Sequence, residues 1–252
     1  MISVVIPNYN KSHYLSQAVN SVLMQENVDL EVIVVDDCST DDSADILQSI
    51  NDPRVRVIFN SINMGVSVSR NLGAMAAKGE YISFLDSDDF YTSKSKLDSE
   101  LKCFLSSAAE NLCVYSIVNI VDDSGNFINR TKEFCYSGDF YKAVVTRSGD
   151  LPRDFLIKRD FFIELGGFSS GVSLFEDWDF KIRMSRSVLP VFTGETGSAY
   201  RQTGVGLSDK GYVLLIVSIL NVFRKNTIDQ SLSERIGLFG SLLKNLILSR
   251  TS

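Results

Sequence analysis

Over its first ninety residues the chain alternates β-rich apolar runs with segments of helical periodicity, and this alternation restricts the fold more than any other feature. Ile2 to Ile6 is a β-rich run ended by Pro7-Asn8. From Ser12, a residue suited to cap a helix, Leu15, Ala18, Val19, Val22 and Leu23 recur at helical spacing. Leu30 to Val35 is apolar except at Glu31, as expected for a strand buried on both faces of a parallel sheet, and it ends at Asp36-Asp37. A polar helix is expected from Asp41 to Ile50, stopped by Pro53. Val55 to Phe59 reads as the third strand, Asn63-Met64-Gly65 as a turn, and Val66 to Ala77 as a third helix closed by Lys78-Gly79. Tyr81-Ile82-Ser83-Phe84-Leu85 is the fourth strand. This order predicts an α/β fold: a doubly wound, mostly parallel sheet flanked by helices, with ligands at the carboxyl ends of its strands.

Three of those strand ends carry polar clusters: Pro7-Asn8-Tyr9-Asn10-Lys11, Asp36-Asp37 and Asp86-Ser87-Asp88-Asp89. Asp86 and Asp88 are two apart, so on extended backbone their side chains leave on the same side. Two carboxylates there form part of an oxygen shell for Mg²⁺ or Mn²⁺, which fills its other positions with water and substrate phosphates. An acidic turn is the alternative, since Asp and Ser favour turns through their own side-chain hydrogen bonds. The coincidence of three polar strand ends favours a metal that grips a diphosphate.

Composition removes several other classes. At 252 residues and 28.0 kDa the chain suffices for one α/β domain or two closely fused halves. A net charge of −6 argues against a nucleic-acid partner, whose footprint is basic. Cys38, Cys103, Cys113 and Cys135 form no C-x-x-C pair, which suits reduced thiols in a cytoplasmic protein better than a disulfide frame. Met1 to Ile6 lacks a basic leader, so no signal peptide is expected. His13 is the only histidine, which excludes a multi-histidine zinc site; a solvated place near a helix start is expected for it. Neither G-x-x-x-x-G-K-[ST] nor G-x-G-x-x-G occurs.

Beyond residue 95 the pattern changes. A helix over Leu97 to Leu105 precedes a long β-rich run, Leu112 to Val121, and Asp122-Asp123-Ser124-Gly125 reads as a hairpin-like turn. A loop-rich stretch is expected to reach Pro152, followed by a helix through Arg159 to Leu165 that ends at Gly166-Gly167. From Lys210 to Ser252 the net charge is +4, which leaves −10 for the rest. Tyr212 to Phe223 is apolar but interrupted at Ser218 and Asn221, and shorter than the roughly 20 residues a bilayer requires. Leu232, Ile236, Phe239, Leu243 and Leu246 form a helical stripe with Arg235, Lys244 and Arg250 nearby. Such a stripe either lies on an anionic membrane surface or packs on the main domain or on a second copy.

The strings VVIPNYNKSHYL, EVIVVDDCSTDDS, NMGVSVSRNLGAMAAKGEYISFLDSDD, LGGF and FEDWDF follow one another in an order and spacing that resembles the family 2 glycosyltransferases. The resemblance runs from about Ile2 to Ser208. It implies the GT-A fold of nucleotide-diphospho-sugar transferases, with a donor-binding half over 1–95 and an acceptor-binding half over 96–209; the charge and helical stripe beyond it add a helical C-terminal tail over 210–252. It implies inverting transfer of a sugar from a nucleotide-diphosphate donor, UDP-linked, to a hydroxyl of a glycan or lipid-linked glycan, assisted by Mn²⁺ or Mg²⁺. The setting implied is bacterial surface-polysaccharide assembly, in the cytoplasm or on the inner membrane's cytoplasmic face.

Residue by residue, Pro7 and Tyr9 resemble the loop that borders the base and ribose. Asp37 resembles the aspartate that reads the uracil or thymine edge, a task suited to an acceptor-only carboxylate. Lys11 and Arg70 lie where relatives place base- or phosphate-facing cations, and Ser87 sits between the D-x-D aspartates Asp86 and Asp88, the latter being the expected direct metal ligand. Glu176-Asp177-Trp178 resembles the acceptor-facing motif, with Asp177 as catalytic base; acidic residues in a helix's first turn also favour the macrodipole without any catalytic role. Thr203 occupies the place of a histidine in the family's Y-R-x-H…S segment, which puts metal grip or the lid in question. No Q-x-x-R-W string of the processive synthases is present, so a single addition is expected.

Other readings fit less well. Gly167-Phe168-Ser169-Ser170-Gly171 matches the G-x-S-x-G nucleophile elbow, but that elbow must follow a strand and needs a later histidine. A receiver-like domain would end near 120 residues. A sugar nucleotidyltransferase would carry a Gly-rich basic loop where this chain has PNYNK. A catalytically degenerate nucleotide-sugar-binding protein is the reading that Thr203 leaves open.

Overall fold

A computed structural model describes residues 1–131, 139–148, 154–172, 174–203 and 212–248. Strands β1 (Ile2–Asn8), β2 (Leu30–Asp36), β3 (Val55–Phe59) and β4 (Tyr81–Phe84) alternate with helices α1 (Ser12–Leu23), α2 (Ser43–Ser49) and α3 (Val66–Ala76). The strands run parallel, as the alternation predicts, and stand in the order β3-β2-β1-β4. A short fifth strand, Ile157–Lys158, numbered β8 in chain order, joins β4 antiparallel. All of β1 is buried because both faces of the sheet are covered. Val4 and Ile6 pack with Leu15, Ala18, Val19 and Val22 of α1, whereas Val5 turns to the other side with Ile33, Val35 and Ala74. α3 lies close on that side, since a Cβ at Gly73 would stand 2.3 Å from Val5 Cγ1.

A second sheet follows the change of pattern. It comprises β5 (Phe90–Tyr91), β6 (Leu112–Val121), β7 (Phe127–Arg130) and β9 (Leu189–Arg201), in the order β5-β9-β6-β7. β6 spans the expected run, and the Asp122–Gly125 turn joins it to β7, with Gly125 N–H donating to the Asp122 carbonyl at 3.0 Å. β9 was not foreseen. Its sequence holds Pro190, Gly194 and Gly197 among polar residues, and it becomes a strand by pairing parallel with β6. Gly197 is required there, because a Cβ would meet Lys96 Cγ and Ser116 Cβ at 2.8 Å each.

Helix α4 (Lys96–Ser106) matches expectation, but α5 (Phe140–Val145) lies in the stretch read as loop. Six residues are too few to display a periodicity; the Asp139 side chain caps this helix by accepting from Lys142 N–H at 2.9 Å. Pro152 lies outside the described residues. α6 (Arg159–Glu164) stops before Gly166 and Gly167, both at positive φ. Between the sheets, the buried Lys96 ammonium donates to both Glu100 oxygens at 2.7 and 2.8 Å and to the Asp154 carbonyl at 3.1 Å. Ser116 of β6 donates to Glu100, and Ser83 of β4 to the Asp154 carbonyl, so the network ties one sheet to the other.

α7 (Glu176–Met184), α8 (Tyr212–Asn226) and α9 (Leu232–Leu248) complete the chain. α8 is fastened to α7 at Asp179, whose carboxylate accepts from Asn226 at 2.9 Å and Ser169 at 2.7 Å and pairs with Lys225 at 2.8 Å and Arg183 at 3.1 Å. Ser169 follows helix α6 rather than a strand and donates its hydroxyl to a buried carboxylate, which is not the geometry of a nucleophile elbow. In α9 the predicted stripe splits. Leu238 and Leu242 are buried, Phe239 and Leu246 pack beside them, and Leu232, Ile236 and Leu243 face outward. Among the described residues, no helix is long and apolar enough to cross a membrane. Cys38, Cys103 and Cys113 are free thiols, and Cys135 lies outside the described residues.

Candidate functional site

Parallel pairing of β1, β2 and β4 brings the three polar strand ends to one edge of the sheet. Asn8 stands opposite Asp36 and donates to its Oδ1 at 2.8 Å, and Ser39 adds its hydroxyl at 2.6 Å and its N–H at 3.0 Å. Asp37 is buried and clamps the approach to α3: it accepts from Asn60 Nδ2 at 2.8 Å, Met64 N–H at 2.9 Å and Gly65 N–H at 2.7 Å. Gly65, at φ +86°, supplies the backbone conformation that an L side chain resists. Pro7 is buried within β1, while Tyr9 is exposed beside Asn10, which turns the chain outward at φ 52° into Lys11 and α1.

At the end of β4 the carboxylates meet cations. Lys11 Nζ lies 2.8 Å from Asp88 Oδ2. Arg70, only 3% exposed, reaches Asp86 Oδ1 at 2.5 Å with one amino group and Glu176 Oε1 at 2.9 Å with the other. Its guanidinium also lies 5.1 Å from the Phe168 ring centroid, so α3, β4, the Gly167-Phe168 bend and α7 converge on one buried charge. Asp86 and Asp88 keep 19% and 22% of their side-chain surface, and Ser87 between them is buried. Among the described residues no group of three or more His, Cys, Asp or Glu could hold a metal. A cation at this edge would therefore take protein oxygens from Asp86 and Asp88 and complete its shell with water or phosphate, a donor set that fits Mg²⁺ or Mn²⁺.

The Asp86–Asp89 turn is braced from behind by Arg201, which sequence reasoning noted only as part of the Tyr200-Arg201-Gln202-Thr203 segment. Its N–H donates to Asp89 Oδ1 at 2.8 Å and its side chain to the Asp88 carbonyl at 2.9 Å, the Asp123 carbonyl at 2.6 Å and Gln17 Oε1 at 2.8 Å. The rings of Tyr14 and Phe90 lie 4.8 and 5.3 Å from the guanidinium. The Tyr14 hydroxyl donates to Asp123, and that bond, followed by partial burial, raises the phenol's pKa. Thr203 is half-buried, two residues past the end of β9; Leu207 and Ser208 lie outside the described residues.

α7 opens with Glu176 and Asp177 in its first turn, where the helix dipole favours negative charge. Phe175 before them sits at φ 65°, a strained conformation for a bulky residue that fixes how the helix enters. Asp177 is held by Lys181 Nζ at 2.9 Å, one turn along the helix, a partner that its i,i+4 spacing could have suggested. Trp178 points inward: its indole N–H donates to the Val144 carbonyl at 2.8 Å, and Arg147 lies 5.5 Å from the ring centroid. The structure thus joins Asp86, Arg70 and Glu176 directly and Lys11 to Asp88, while Asp37 binds the Asn60–Gly65 loop and Asp177 pairs with Lys181. Asn60 and Gln17 gave no sequence signal of their own.

Residues 3–168 match the family described as glycosyl transferase family 2. A protein named for teichuronic acid biosynthesis, the glycosyltransferase TuaG of Bacillus subtilis, is 41% identical over 118 residues, 46% of this chain and 45% of that one. Glycosyltransferase GlyG of Streptococcus pneumoniae is 33% identical over 185 residues, 68% of this chain and 60% of its own. The chain thus spans about half the length of such relatives. The crystal structure of S. aureus TarS 1-349 superposes with a TM-score of 0.71 at 18% identity, covering 100% of this chain and 73% of that one, a likeness of fold. The family match over residues 3–168, together with a fold shared along the whole chain, shows that this protein belongs to glycosyl transferase family 2 and has the GT-A fold.

Proposed function

We propose that the chain transfers one sugar, with inversion, from a UDP-linked donor to a hydroxyl of a glycan or lipid-linked glycan acceptor, in surface-polysaccharide synthesis on the cytoplasmic side. The observation that carries this reading is the Arg70 bridge, 2.5 Å to Asp86 and 2.9 Å to Glu176, because it couples the D-x-D turn to the start of the E-D helix. The donor class is supported by TarS, whose crystal structures include complexes with UDP and with UDP-GlcNAc. The glycan setting is supported by the relatives' names.

In this reading residues 1–95 bind the donor, with Pro7 and Tyr9 along the base and ribose and Asp37 accepting from the ring N–H through lone-pair capacity beyond its loop bonds. Lys11 and Arg70 carry positive charge to the diphosphate edge beside Ser87. Asp86 and Asp88 are the residues that would hold a divalent cation, which when bound supplies charge compensation for the departing diphosphate. Residues 96–209 receive the acceptor. Asp177 takes the proton of the attacking hydroxyl, Lys181 fixes its carboxylate, and Glu176 and Trp178 set the helix that presents it. General-base help of this kind contributes about 10²- to 10⁴-fold.

A thermal-shift screen of UDP-, dTDP-, GDP- and CMP-sugars, each with and without Mn²⁺, tests the donor assignment. At 100 times its Kd a donor stabilises the fold by about 2.7 kcal/mol, and the shift is expected for UDP-sugars and to require Mn²⁺. Asp88→Ala should abolish it. Absence of a shift with every donor would instead support the degenerate reading that Thr203 suggests. Asp177→Asn should keep donor binding and lose transfer; full activity in that variant removes the base assignment.

A further inference from the structure

Helices α8 and α9 fasten to the body by one face each and leave an apolar line on another. In α8, Val213, Val217 and Leu220 are exposed at i, i+4 and i+7, Val213 at 75%, with Leu214 and Ile216 beside them. Arg224 continues the same line one turn further and is also exposed. In α9, Leu232, Ile236, Leu243 and Ile247 share a face and are exposed, Leu232 at 73%, and Ile228 projects from the connecting turn at 71%. Arg235 and Lys244 flank the α9 line on its two sides. The small residues Gly237 and Gly240 lie on the same exposed side.

The chemistry of the occupant follows from charge. The segment from Lys210 to Ser252 carries +4 in sequence on a protein whose remainder carries −10, and with Lys225 paired to Asp179 the exposed cations beside the apolar lines are Arg224 and Lys244. Its two acids do not oppose an anionic partner at these faces. Asp229 is paired with Arg186 at 2.5 Å, and Glu234 accepts from Ser231, away from the apolar line on the helix wheel. Exposed aliphatic lines flanked by long cationic side chains suit a bilayer interface, where the lines enter the acyl boundary and the cations reach lipid phosphates. Neither helix is long and apolar enough to cross a membrane, which leaves lying on the surface. We propose that the outer faces of α8 and α9 dock the enzyme on an anionic phospholipid bilayer, with Val213, Val217, Leu220, Leu232, Ile236 and Leu243 inserted and Arg224 and Lys244 on the headgroups. This inference stands on the tail's surface and does not depend on the donor or base assignments.

Co-sedimentation of the full chain with phosphatidylcholine vesicles, with and without phosphatidylglycerol, tests it. Binding is expected only with phosphatidylglycerol and should weaken in salt. Val217→Asp with Ile236→Asp should abolish it, and Arg224→Gln with Lys244→Gln should weaken it roughly fivefold per charge. The four positions are exposed, so melting curves of the variants should stay close to that of the parent; the glutamine pair keeps the test open should the aspartate pair misfold. Equal binding to neutral and anionic vesicles, or none to either, overturns the proposal. Light scattering that shows a dimer broken by the same aspartate pair, without vesicle binding, assigns the face to a second copy instead.

Discussion

Arg70 joins three elements through one side chain. Its fork presents two amino groups to two carboxylates from distant parts of the chain, Asp86 and Glu176, inside a site it shares with the Phe168 ring. Replacing it by Met would remove the guanidinium that the two carboxylates share. We expect a loss of about 3 kcal/mol, toward the low end for a broken buried pair because Asp86 is partly solvated, measured by urea unfolding. Arg70→Lys should recover only part of that loss, since one ammonium cannot reproduce a bidentate fork. A loss below about 1 kcal/mol would place the pair with ordinary surface ion pairs.

Among the elements, the attachment of α8 to α7 has a built-in dependence on acid. Burial acts to raise the pKa of Asp179, but the hydrogen bonds from Lys225, Asn226 and Ser169 outweigh it and hold the carboxyl below its ordinary 3.8. A depressed folded-state pKa contributes stability that is complete above the unfolded value and lost as pH falls through the folded one. The protection factors of amides over residues 212–226, which remove the intrinsic pH dependence of exchange, should therefore be high and flat near neutrality and fall below about pH 4. Asp179→Asn should loosen α8 at neutral pH and remove most of that acid response. The contact of α3 with β1 offers a separate test: Gly73→Ala pushes a methyl against Val5, and overpacking of this kind costs about 1–3 kcal/mol in denaturant melts.

At the scale of the molecule, both hydrophobic cores cross the boundary between the sheets. One runs from Val5 and Ile33 through Cys113 and Tyr115 to Trp178 and on to Val222 and Leu242 in the tail. The other joins Ile2 and Val4 to Leu97, Leu112 and Val114. A core shared in this way predicts one cooperative transition, with fluorescence of Trp178, the only tryptophan, coinciding with far-UV circular dichroism. Two separated transitions would refute it. The Lys96–Glu100 pair sits where the sheets meet, and Lys96→Met would strand a buried carboxylate, so a loss of about 3–5 kcal/mol is expected with the single transition retained.

The parallel half of the molecule is legible in the chain, because strands buried on both faces and helices with one apolar stripe write their periods directly into it. The polar strand ends are legible too, since Asp86 and Asp88 are neighbours in sequence and need no tertiary contact to be found. The remainder depends on packing. β9, with its glycines and proline, is a strand because β6 offers it a ladder, and six-residue α5 is a helix because Asp139 caps it and the core covers Phe140, Val144 and Val145. The Arg70 bridge joins residues 106 apart in sequence, and the face of α9 that turns outward depends on what α5 and α8 cover. Local periodicity specifies which faces are apolar; which of them is buried, and which cation meets which carboxylate, is fixed only when the elements pack.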